Sequence, residues 1–145
     1  MDHIAIARDL LALFCGIQGF ATLAADLNRT HATNPLWLRH ARFHVVSQAI
    51  SAFLLSIIEV FLVLGRGPFE AQRFYLAATL ACVPLVSFVG AMFTRTAYGG
   101  ALHDPNGILP VRISIAGRVY FVHINVVIVF VGLLVIGAIL GIRLW

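Results

Sequence analysis

Four apolar runs dominate this chain, each close to the roughly 20 residues that a helix needs to cross a bilayer. They extend from about Ile4 to Ala25, Ala41 to Leu64, Arg73 to Thr94 and Val119 to Ile142. Backbone groups in lipid must be satisfied internally, so uninterrupted runs of this length are helices. Strands of a membrane barrel would be about ten residues long and would alternate in polarity. Composition agrees: 61% of residues are hydrophobic, 11% are charged and the mean hydropathy is +0.96. A soluble domain is nearer to about half apolar and about a quarter charged. The chain is therefore expected to be all-α, a multi-pass integral membrane protein folded as a four-helix antiparallel transmembrane bundle. One domain would cover residues 1–145, with helices near 4–25, 35–64, 73–94 and 119–142.

The first run could be read as the apolar part of a signal peptide. Its start, M-D-H-I-A-I-A-R-D, lacks a basic region, so it is expected to be a retained helix. Pro84 should kink the third helix and free a carbonyl. Cys15 and Cys82 lie inside apolar runs with no C-x-x-C and read as buried small hydrophobes.

Alternating helix direction sorts the polar residues onto two sides. Side A holds the N-terminus, the turn G-R-G-P-F-E and the C-terminal Arg143 to Trp145. Side B holds the loops Asp26 to His40 and Arg95 to Arg118. Of the six histidines, His31, His40, His44, His103 and His123 fall on side B or within about one turn of it. Asp26, Asn28, Asn34, Tyr98, Asp104, Asn106 and Asn125 join them. Side B also carries Arg29, Arg39, Arg42, Arg95, Arg112 and Arg118, against Arg8, Arg66, Arg73 and Arg143 on side A. The positive-inside rule then puts the histidine-rich side in the cytoplasm.

Asn34-Pro35 has the form of a helix start, with Asn as N-cap and Pro at the first position. A second helix from Pro35 to Leu64 would be about 45 Å long, longer than the hydrocarbon core. Its first turns, with Trp37, Arg39 and Arg42, should then stand among head groups. Trp37, His40, His44 and Gln48 are spaced by three, four and four and share one face, which continues towards Glu59. Ionisable groups at that depth normally face the bundle interior and pair. An Arg8–Glu59 ion pair is expected, with Arg73 as the second candidate partner. Gln18 and Asn125 should face other helices. Asp104-Pro105-Asn106-Gly107 reads as a tight turn that fixes His103.

Three chemistries suit such a cluster. His40 and His44, at i and i+4, can present two nitrogens to one zinc or iron ion, with His31, His103, His123 or Asp104 completing the shell. Without a metal, His40, His44 and His123 could move protons on a lipophilic substrate, with Gln48 alongside and Asp104 closing the site. Isomerase, hydrolase and oxidoreductase reactions all remain open on that reading. A haem b held between His44 and His123 is the third. A non-catalytic assembly subunit is the remaining alternative. Expected partners are membrane lipids, a lipophilic small molecule and a further copy of the chain, with no nucleic acid.

The block W-L-R-H-A-R-F-H-V-V-S-Q, Trp37 to Gln48, with His31 before it and D-P-N-G after it, resembles an uncharacterised family of small four-helix membrane proteins with a W-x-x-H-A-R-F-H motif. That resemblance implies four spanning helices. A looser likeness is to the emopamil-binding and sigma-2-receptor-like membrane proteins, which include a sterol isomerase. It implies helix-borne His and carboxylate groups in a lipid-facing pocket. His44 and Gln48 are comparably spaced, with Gln48 where a carboxylate is expected.

Overall fold

The computed structural model describes residues 2–145. Its four helices are α1 (His3–Asp26), α2 (Arg39–Leu64), α3 (Glu70–Thr94) and α4 (Ile124–Leu144). All four are long and apolar enough to cross a membrane. A short 3-10 turn, Arg95–Tyr98, ends α3, and a hairpin of β1 (Val111–Ile115) and β2 (Arg118–Val122) leads into α4. Each helix packs against its neighbour in sequence, and α4 closes the ring against α1.

Small residues set how closely the helices approach. The buried side of α1 is Ala7, Leu11, Cys15 and Gly19, each four apart, so they form one stripe. The facing stripe of α2 is Ala49, Ser56, Glu59 and Val63. A Cβ placed on Gly19 would overlap the Ser56 side chain, so the α1–α2 crossing needs glycine there. Ala77, Ala78 and Ala81 do the same work on α3. This is how apolar helices associate where lipid is as apolar as the side chains. Pro84 lies inside α3, and Gln18 donates from α1 to the Ala81 carbonyl at 3.1 Å, in the turn that Pro84 loosens.

Two expectations about charge do not hold. Arg8 pairs with its neighbour Asp9 at 3.0 Å, at the exposed edge of α1. Arg73 donates to the carbonyls of Gly65 and Pro68, at 2.7 Å each, and so closes the C-terminal end of α2. Glu59 is therefore paired with neither. It is 1% exposed, and one of its carboxyl oxygens has no hydrogen-bond partner among the described residues. The side A end is tied instead by Arg143 of α4, which stands over the Phe74 ring and 3.9 Å from Glu70 of α3.

Three boundaries differ from those expected. α2 begins at Arg39 rather than Pro35, because Leu38 is extended and the Asn34 side chain bonds within its own loop. α3 begins at Glu70, behind Phe69 in the left-handed region with φ 66°. α4 begins at Ile124, because Val119 to Val122 pair with β1 instead of joining the helix. The hairpin turns at Ala116 and Gly117, with φ of 50° and 76°, the positive pair that a tight two-residue hairpin needs.

Candidate functional site

At the side B end the two long loops are stitched together. Asn34 is fully buried, and its amide exchanges hydrogen bonds with that of Asn106 at 3.1 and 2.7 Å. It also donates to the Thr30 carbonyl and accepts from the Leu36 N–H. A second tie runs from the Trp37 indole N–H to the Asp104 carboxylate at 2.6 Å. The expected turn is present, with the Gly107 N–H donating to the Asp104 carbonyl at 2.9 Å. Asn125 of α4 donates to the Leu102 carbonyl at 3.0 Å and holds the same loop from the other side. Trp37 and Asp104 are thus strut residues: each occupies the other's polar group.

The five side B histidines sort into two pairs and a single residue. His40 and His44 stand with their Nε2 atoms 2.9 Å apart, one ring donating to the other. His103 and His123 have ring centroids 5.4 Å apart, tilted by 36°. His31 accepts or donates at Nδ1 with the Thr30 hydroxyl at 2.8 Å, and its ring meets the edge of Trp37. No three His, Cys, Asp or Glu side chains among the described residues are placed to hold one metal ion. The expected shell of His31, His40, His44, His103 and His123 is therefore not assembled within one chain. Of the two histidines expected to flank a haem, His44 is hydrogen-bonded to His40, and His123 stands beside His103 at the N-cap of α4.

Orientation separates the expected site further. His40, His44 and Gln48 are exposed, whereas Glu59 is buried, so the stripe they were expected to form leaves the interior at its side B half. The reason lies in the packing stripe. Ala49, Ser56, Glu59 and Val63 face α1 and α3. His40, His44, Ser47 and Ser51 lie away from that stripe, and all four are exposed. None of the side chains of Ser47, Gln48 and Ser51 hydrogen-bonds to another helix among the described residues. A hollow of about 260 Å³ beside them is lined by Phe43, Val46, Ser47, Ile50 and Ser51. Another, of about 370 Å³ at the side A end, is lined by His3, Ala138, Gly141, Ile142 and Trp145. None of the five side B histidines lines either hollow.

Sequence reasoning found the histidines and the tight turn but missed two features. One is the Asn34–Asn106 pair, which joins residues 72 apart. The other is the outward serine pair, whose signal was its spacing of four, in step with His40 and His44. Compared with family models, curated proteins and solved structures, the chain matches none.

Proposed function

We propose that this chain is a four-span integral membrane protein that acts as an assembly subunit, binding another membrane protein through the outer face of α2. The observation that carries this reading is an exposed polar stripe, His40, His44, Ser47 and Ser51, with Gln48 beside it, on a helix apolar enough to span a bilayer. Polar groups in hydrocarbon seek partners, and Ser, Gln and His are the side chains that bond across membrane helices. Beyond the His40–His44 bond, no other helix supplies the stripe with a partner among the described residues, so the stripe is suited to a helix of another chain. Side B, with the arginine majority, faces the cytoplasm. There the hairpin lies in the head-group layer, Arg112 and Arg118 among lipid phosphates and Tyr120 and Phe121 at the boundary. No acidic residue follows Asp104, so nothing in the hairpin opposes that contact.

The test is a photo-crosslinking side chain at Ser47, in membranes, beside a control at Leu134 on the outer face of α4. The expected result is a protein adduct at 47 and lipid adducts at 134. Lipid adducts alone at 47 would end the assembly reading.

A second reading rests on a different observation. His103, exposed, and His123, half-buried, have their ring centroids 5.4 Å apart, with His103 next in sequence to the Asp104 that holds Trp37. A small lipophilic molecule arriving from the bilayer would find its polar contacts there. On this reading His123→Ala abolishes saturable binding of a hydrophobic probe and His44→Ala leaves it unchanged. Equal loss in both variants would count against it.

A further inference from the structure

The exposed face of α2 has a regular period. His40, His44, Ser47, Ser51, Leu54 and Ile58 follow one another at spacings of four and three, and every one is exposed. That is the heptad seam of a helix built to lie along another helix. It is distinct from the buried seam, which carries Ala49, Ser56, Glu59 and Val63.

The chemistry of the seam selects its partner. It holds no carboxylate and no arginine. Each of its polar groups, imidazole or hydroxyl, both donates and accepts. Two copies of one chain enter a membrane in the same orientation, so a two-fold axis runs along the membrane normal and brings each seam residue to its own counterpart at equal depth. A seam of groups that donate and accept satisfies itself in that arrangement, whereas a charged seam would repel its copy. Ser47 and Ser51, small and four apart with a hollow beside them, allow the two backbones to approach closely.

The histidines then complete a site that one chain lacks. His40 and His44 hold their two Nε2 atoms 2.9 Å apart in a hydrogen bond, so the two nitrogens stand close enough to share one ion once that bond is given up. Within one chain no third ligand joins them. A second copy supplies two more nitrogens, giving the four that a tetrahedral zinc-class ion takes at about 2.0–2.1 Å each. We propose that two copies pair α2 against α2 and that their His40 and His44 side chains together bind one divalent transition-metal ion. Binding needs both Nε2 lone pairs. The ring that donates in the His40–His44 bond therefore shifts its proton to Nδ1, and neutral imidazoles coordinate without net proton release. The site lies in the first two turns of α2, at the side B end.

This rests on the reading that the outer face of α2 is covered by protein, and the test separates the two. Ser47→Cys is introduced into the full chain in membranes, with Cys15 and Cys82 replaced by Ala, and oxidised, and purified wild-type chain in lipid nanodiscs is titrated with zinc chloride alone. The expected results are a covalent dimer of this chain and one zinc per two chains. His40→Ala and His44→Ala should each weaken zinc binding at least tenfold, and His103→Ala should leave it unchanged. His44→Asn, which keeps a polar side chain, should lose zinc while retaining the Ser47→Cys crosslink, showing that the fold persists. A photo-adduct at 47 to a different protein, with no covalent dimer, would overturn the pairing of copies while leaving the assembly reading in place. No disulfide between copies would overturn the pairing of copies, and lipid adducts alone from the photo-crosslinking side chain at 47 would overturn both. One zinc per chain on monomers, or a dimer that takes up no zinc, would overturn the metal site.

Discussion

Asn34 shows how a residue that looks like one local device becomes another. Its sequence context, Asn before Pro, is that of a helix start. Its amide instead uses all four hydrogen-bonding positions, to Thr30, Leu36 and twice to Asn106. Because the residue is fully buried, none of these bonds is replaceable by water. Asn34→Ala should therefore destabilise the fold by about 1–3 kcal/mol through the orphaned groups left behind, measured by SDS titration of the purified protein. Asn106→Ala should give a smaller loss, because Asn106 is exposed and Asn34 keeps its two loop bonds. Trp37→Phe leaves the Asp104 carboxylate without its indole donor. The expected outcome is faster proteolysis of the loop around Asp104, with the helices intact. At this scale the sequence displayed the polar residues clearly. It did not display which of them answer one another, since Asn34 and Asn106 meet only through the loop geometry.

Among the elements, the long apolar helices were the most legible and the hairpin the least. Long apolar runs declare themselves by length. The hairpin was hidden because Val119 to Val122 are apolar and only His123 separates them from α4, so composition favours a longer helix. The available signal was Ala116-Gly117 between stretches rich in branched and aromatic residues. Gly117 takes φ 76°, a conformation that a branched side chain resists. Gly117→Val should loosen the hairpin and raise hydrogen exchange in residues 111–122 at least tenfold, with exchange in α4 unchanged. Equal exchange in both proteins would argue that the turn is not what holds the strands. Between α1 and α2 the limiting contact is Gly19 on Ser56. Gly19→Leu should cost about 1–3 kcal/mol from overpacking, whereas Gly16→Ala, with open space at its Cβ, should be tolerated. Thermal unfolding in one detergent would compare the two.

For the whole molecule, counting helices was enough to place five histidines at one end, and the structure puts them there. The inference from one end to one pocket is where sequence fell short. A shared end fixes depth but not azimuth. His40 and His44 are as far along α2 as a site at side B requires, yet they sit on the side turned away from α1 and α3, because the small residues that allow close packing occupy the other side. Glu59 follows the packing stripe and Gln48 does not, so helical spacing alone could not tell the buried half of the polar stripe from the exposed half. The result is a bundle whose interior is nearly apolar and whose His40, His44, Ser47 and Ser51 side chains face outwards.

That surface can be measured directly in a bilayer. A single spin label is moved along α2 from position 40 to 61, with Cys15 and Cys82 replaced by Ala, and its accessibility to dissolved oxygen is read at each position. A face covered by protein predicts low oxygen accessibility at 44, 47, 51, 54 and 58, repeating every three to four residues, although these side chains lie outside the bundle of their own chain. Oxygen accessibility at those positions equal to that of an outer α4 position such as 134 would show the stripe facing lipid, and would contradict the account.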